Sequence, residues 1–328
     1  MKNQIEKKHN PIIFNFISWC ICSIPIILIF SNAFADIIVV SVSLFFIYIS
    51  IKENNWIWLN EFWVRVCFVI YFWLIISSFF AYNEDLALSR SISWIRFVIF
   101  AASLQFFFLD NKKFRNRMMI FIFIGIIYVN IEMFVEYFTG FSFYSKILEH
   151  QFGMWGFSGG GNRLSGPFKD APKSGIYLVY FLFPALIGMA KLIKHRLSES
   201  FSLIFIFIFL GINIFLIYAS GHRASMLSLF ISLSLIIFYF CLKNKKLTTI
   251  LMIILFSLGT LTYISDSSIF NKLKNRNLVI GKTLYDIEKL SNSAYGSLFK
   301  TSFKMFKAHP ITGVGLKNYR VACEKDEF

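Results

Sequence analysis

"FSLIFIFIFLGINIFLIYASGHRASMLSLFISLSLIIFYFC", Phe201 to Cys241, decides the fold. Two apolar runs, 201–219 and 225–242, are each long enough to cross a bilayer as a helix. Only Ser220-Gly221-His222-Arg223 separates them, room for a tight turn and nothing more. The pattern recurs on both sides. Further apolar runs fall at roughly 12–30, 34–51, 64–82, 92–109, 118–138, 174–193 and 247–265. The sequence therefore predicts an all-α, polytopic transmembrane helical bundle of about nine spans. Composition agrees: 57% of the 328 residues are hydrophobic, 19% are aromatic and 42 are Phe.

A net charge of +15 raises the possibility of a nucleic-acid partner. The basic residues are instead scattered in short clusters between apolar runs, the layout of cytoplasmic anchors in a membrane protein. Nucleic acid is excluded on that ground. One side collects Lys2, Lys7, Lys8, Lys52, Arg65, Lys112, Lys113, Arg115, Arg117, Lys191, Lys194, Arg196, Lys243, Lys245 and Lys246. The short loops of the other side hold Arg90, Lys146, Arg163, Lys169, Lys173 and Arg223. The first side is expected to be cytoplasmic, together with the N-terminus. The expected domains are then a transmembrane domain, 1–265, with an external loop at 139–173, and an external loop at 266–328.

Lys7-Lys8, the apolar stretch after them and Ala33-Phe34-Ala35 share the layout of a signal peptide. That stretch is longer than most signal cores, so a retained first span is the reading; cleavage would leave the remaining orientation unchanged. Cys20, Cys22 and Cys67 lie within apolar runs, Cys241 ends one, and only Cys323 sits in a long polar segment, which gives no disulfide framework and no metal cage.

Chemistry-bearing residues collect on the external side. "GGGNRLSGPFKDAPKSG", 159–175, combines a glycine run with Arg163, Lys169 and Lys173. Successive backbone N–H groups in such a loop can cradle an anion, and a guanidinium matches phosphate with two parallel hydrogen bonds. The alternative is a flexible loop whose cations meet lipid headgroups. Arg223, at the mouth of a span, either snorkels to headgroups or binds an anion. His222 beside it reads as an ordinary polar residue. Arg96 lies inside the fourth span, while Glu132 and Glu136 lie one turn apart on the fifth, so an intramembrane ion pair is expected among them.

In "SLFKTSFKMFKAHPITGVGLKNYR", Phe299, Phe303 and Phe306 recur at helical spacing, with Lys300, Lys304 and Lys307 one residue later. This pattern predicts an amphipathic helix on the membrane surface. His309-Pro310 ends it, and His309 reads as a cap before a catalytic base. Gly313-x-Gly315 is a weak phosphate signal, because no strand precedes it. Asp286-Ile287-Glu288 is the nearest approach to an oxygen ligand set and reads as a solvated helix face, so no metal and no cofactor are expected.

Three stretches, "RLSGPFKDAP", "ASGHRASMLSLF" and "AHPITGVGLKNYR", resemble the bacterial O-antigen ligase and O-antigen polymerase family in order, spacing and expected side. The resemblance implies a metal-independent glycosyltransferase of the inner membrane, active at its periplasmic face. Its donor would be a glycan on undecaprenyl pyrophosphate, and its acceptor a sugar hydroxyl on lipid A–core or on a growing glycan chain. Arg163 and Arg223 match the arginines thought to hold the pyrophosphate, with Lys169 close to the first. The family's external histidine would lie beyond Phe328, and His309 does not replace it. Where many relatives carry an arginine ahead of the surface helix, this chain has Ala294-Tyr295-Gly296.

Because nine spans would leave residue 328 in the middle of an external polar segment, the sequence reads as a fragment lacking at least one further span. An inactive fragment and a transporter or flippase of a lipid-linked anion are the competing readings. The latter would need charges along a path, and the spans carry almost none toward the cytoplasmic half.

Overall fold

The computed structural model describes residues 11–140, 142–143, 164–168, 173–193, 198–243 and 294–324. Every regular element among them is helical. In chain order these are α1 (Pro11–Phe30), α2 (Asn32–Lys52), α3 (Phe62–Ser78), α4 (Glu84–Ser103), α5 (Lys112–Thr139), α6 (Ser174–Ile193), α7 (Glu199–Ala219), α8 (Arg223–Lys243), α9 (Ala294–Ala308) and α10 (Tyr319–Cys323). A 3-10 turn, Ile57–Asn60, precedes α3, and a π-helical turn, Leu104–Phe108, continues α4.

Six of these helices are long and apolar enough to cross a membrane: α1, α2, α4 with its π turn, α5, α6 and α7. Helix α3 and the stretch Ala224–Ile236 of α8 are apolar but shorter, and the run at 247–265 lies outside the described residues. Helix α3 stops before the expected end because Phe79, Phe80 and Ala81 donate to carbonyls three residues back and turn the chain. The Ser77 and Ser78 hydroxyls both bond back to the Leu74 carbonyl, a local alternative to the helix ladder. The surroundings these helices require follow from exposure. The α7 window has a mean hydropathy of 2.6, yet only 17% of it is buried. Apolar surface on that scale is stable against lipid and not against water.

The chain divides into two units. The first comprises residues 1–24, 31–115 and 282–328. Within it α4 packs along both α2 and α3. Phe14, Phe46 and Phe107 form an aromatic cluster, with Phe46 edge-on to Phe107 at 4.9 Å. Asn83 caps α4 by accepting from the Leu86 N–H at 3.0 Å, and Glu84 and Asp85 complement the helix dipole behind it. The Ala33-Phe34-Ala35 stretch forms the first turn of α2, capped by Ser31, with Ala35 buried.

The second unit comprises residues 25–30 and 116–281. Its core joins Ile126, Val129 and Met133 of α5, Leu178, Leu182 and Ala185 of α6, and Leu216 and Ile217 of α7. The buried Tyr177 hydroxyl donates to the Pro25 carbonyl at 3.0 Å. Gly188 allows α6 to approach α5 closely: a Cβ there would lie 2.6 Å from the Met119 carbonyl oxygen. Gly211 on α7 has nothing within 4 Å of that position. Gly188→Ala should therefore destabilise the protein by about 2 kcal/mol through overpacking. Gly211→Ala should be neutral or stabilise it by up to ~1 kcal/mol. Thermal unfolding of the two variants in detergent checks the contrast.

Candidate functional site

The site is built in the second unit, on the last turns of α5. Glu132 and Glu136 share one helix face and are 3% and 6% exposed. A carboxyl group this buried needs donors, and for Glu136 the loop leading to α6 provides them. The Ser165 N–H and Oγ reach its Oε1 at 3.1 and 3.2 Å, and the Gly166 N–H reaches Oε2 at 2.6 Å. Both carboxyl oxygens act as acceptors, and the peptide at Ser165–Gly166 is fixed against the helix.

The rest of the segment follows from that contact. Gly166 has φ +56°, and a Cβ there would also press on Met133 Cγ at 3.2 Å. The Phe168 N–H closes the turn on the Ser165 carbonyl at 3.2 Å. Leu164 is buried in the unit's core, and its carbonyl accepts from the buried Ser174 hydroxyl at 2.9 Å. Phe168 packs against Tyr177 at 5.6 Å. "LSGPF" is thus pinned at its first residue, at its turn and at its last ring.

Helix α6 carries this segment onto the turn between α7 and α8. A Cβ on Gly175 would lie 2.5 Å from Ser220 Oγ and 3.2 Å from Ser225 Oγ, so the two stretches meet where only small residues fit. Gly221 adopts φ +65°, the conformation that reverses the chain in so few residues. His222 caps α8: its Nδ1 accepts from the Ser225 N–H at 3.2 Å and lies 2.9 Å from Ser225 Oγ. A ring nitrogen that accepts a backbone N–H carries no proton of its own, which assigns the neutral tautomer protonated at Nε2. Arg223 is the first residue of α8.

Of the residues singled out in the sequence, Arg163 and Lys169 lie outside the described residues, as does the Arg223 side chain. Their immediate neighbours are placed: Leu164 follows Arg163, and His222 precedes Arg223. The ion pair expected among Arg96, Glu132 and Glu136 involves residues of both units, and each is described within its own unit. Arg96 pairs with Asp36 of α2 at 3.1 Å and stacks on Phe97 at 4.9 Å. Helix α2 packs along α4, which places Asp36 within reach of Arg96. Glu136 meanwhile serves the loop peptide. In Gly313-x-Gly315, Gly315 has φ +91° and packs against Ala81. His309 lies just after α9, its N–H donating to the Met305 carbonyl at 2.9 Å and its Nε2 3.2 Å from the Tyr82 hydroxyl.

Residues that sequence reasoning missed are Asp36, Ser174, Ser220, Ser225 and the anchoring role of Glu136. The signal for Asp36 was available, since an acid near the start of an apolar run demands a partner.

Residues 203–327 fit the family model described as O-antigen ligase, which bears out the resemblance drawn from the motifs. Two of the three stretches, "SGHRAS" and "HPITGVGLKNYR", fall inside the matched range, whereas "RLSGPFKDAP" lies ahead of it. No curated protein and no solved structure matches the chain. The apolar helices are those of a membrane protein, and residues 203–327 are similar to the O-antigen ligase family.

Removing the Glu136 carboxyl group would leave two backbone N–H groups without an acceptor in an apolar setting. Glu136→Ala is expected to cost at least ~2 kcal/mol. Glu136→Gln, which keeps one acceptor oxygen, should cost less. Thermal unfolding in detergent orders the two variants, and equal midpoints for Glu136→Ala and the parent protein would refute the anchor.

Proposed function

We propose that the protein transfers a glycan from undecaprenyl pyrophosphate to an acceptor sugar hydroxyl at the periplasmic face of the inner membrane, as an O-antigen ligase does. In this reading Arg163 and Arg223, with Lys169, bind the diphosphate. The acceptor oxygen attacks the anomeric carbon and the bond to the diphosphate oxygen breaks, so negative charge grows on the leaving group. Guanidinium groups already positioned there stabilise that charge without reorganisation, in a site partly shielded from water. Two planar forks suit a diphosphate better than diffuse lysine charge does, and no metal is needed to neutralise it. The polyprenyl tail would remain in lipid, so the site opens sideways to the bilayer.

The observation that carries this reading is the seam at Gly175. It joins the segment beginning directly after Arg163 to the turn ending in Arg223, and both segments are held by buried contacts. The family match over residues 203–327 supplies the reaction class. The orientation rests on the asymmetry of Lys and Arg between the two sets of loops.

Arg163→Ala and Arg223→Ala should each abolish surface glycan in cells carrying the complete gene, with lipid-linked precursor accumulating on the outer leaflet. Normal glycan in both variants removes the assignment. Precursor confined to the cytoplasmic leaflet would instead identify a flippase.

A further inference from the structure

Within the first unit, helix α9 and the segment after it are fixed to the turn between α3 and α4. Asn318 is fully buried, and its amide grips the peptide of Asn83 from both sides. Its Oδ1 accepts from the Asn83 N–H at 2.8 Å, while its Nδ2 donates to the Asn83 carbonyl at 3.1 Å and to the Leu316 carbonyl at 3.2 Å. Gly315 packs on Ala81 so tightly that a Cβ would collide with it. His309 meets Tyr82 edge-on at 5.8 Å. The Tyr319 hydroxyl donates to the Leu298 carbonyl, tying α10 to α9. Because Asn83 is the cap of α4, a helix long and apolar enough to span, this clamp fixes α9 to the end of that helix.

Helix α9 presents two adjoining stripes. Met305 faces inward and is buried. Phe299, Phe303 and Phe306 are 76%, 57% and 59% exposed, with the rings of Phe303 and Phe306 stacked at 6.5 Å. One residue onward run Lys300, Lys304 and Lys307, all exposed, with the Lys307 ammonium 4.8 Å from the Phe303 ring. Three large rings facing water are unfavourable, and the lysine row beside them indicates what covers them. The lysines extend over eight residues of helix, about 10 Å, which matches neighbouring headgroups rather than a single diphosphate. They are also point charges without the planar fork that favours bidentate capture of one phosphate group.

We infer that α9 is a docking platform for the anionic phospholipid surface of the bilayer, with its phenylalanines among the acyl chains and its lysines among the phosphates, held to the end of α4 by the Asn318–Asn83 clamp. The inference rests on the membrane character of the chain and not on glycosyl transfer, so the two can fail separately.

The test replaces Phe303 by p-benzoylphenylalanine in the full chain, reconstituted in vesicles of phosphatidylcholine with a minor share of phosphatidylglycerol. Photo-adducts are then identified by mass spectrometry. Phosphatidylglycerol should be over-represented among them roughly fivefold relative to the bilayer. The triple variant Lys300→Gln, Lys304→Gln, Lys307→Gln should return the adducts to bilayer composition. Asn318→Ala should reduce lipid adducts of either kind severalfold. Gly315→Ala should do the same, with partial recovery when Ala81→Gly makes room for the new methyl group. Adducts at bilayer composition in the parent protein overturn the inference, as do adducts to protein alone. So does added undecaprenyl phosphate displacing phosphatidylglycerol one for one, which would make the lysine row a donor site.

Discussion

A carboxyl group buried among apolar helices, with no bulk water to solvate it, must find its donors inside the protein. Glu136 meets that requirement with the peptide of a loop, and the conformation of the loop follows from it. Three donors from Ser165 and Gly166 converge on one side chain. Gly166 must therefore take a positive φ, and the chain must turn back at Pro167 and Phe168 toward α6. The dependence is mutual. Without the loop the acid would be buried alone, and without the acid two peptide N–H groups would be. Each alternative costs more than the pair gains over solvent.

Close approach is the second constraint, and it operates through small residues. Helices in lipid have no hydrophobic driving force toward one another, so contact depends on backbones that can come near. Gly188 against Met119, Gly175 against Ser220 and Ser225, and Gly315 against Ala81 are three such places. The last two each involve one stretch that carries the family resemblance, at Ser220 and Ser225 and at Gly315. Ser220, Ser225 and Gly315 thus have a mechanical role in those motifs.

How much of this the sequence revealed depends on whether a feature is local. The runs at 12–30, 34–51, 174–193 and 201–219 correspond closely to α1, α2, α6 and α7, because hydropathy over one turn after another is a property of the segment itself. The phenylalanine and lysine stripes of α9 were legible for the same reason. The early stop of α3 was not, since Phe79 and Phe80 are as apolar as the helix they end. The π turn at Leu104–Phe108 leaves no compositional trace either; it shifts one hydrogen bond, from Leu109 to Leu104, without needing a special residue. Arg96 shows the wider limit. Its need for a partner was evident, but the choice of Asp36 depended on which helix lies beside α4, and the length and hydropathy of a span say nothing about its neighbours.

Both anchors work in the same way. Glu136 in one unit and Asn318 in the other hold a loop by its peptide groups, through an acid in one case and an amide in the other. A grip on backbone makes no demand on the side chains of the residues it holds. The neighbouring positions can then carry cations whose identity is set by what they meet: arginine beside the Glu136 anchor, where a compact diphosphate is proposed, and lysine beside the Asn318 anchor, where the proposed contact is an extended surface of headgroups. Arginine's fork is useful only when its target is fixed in direction, whereas a row of flexible ammonium groups suits a target that moves. That division between the two proposed contacts follows from the side chains themselves.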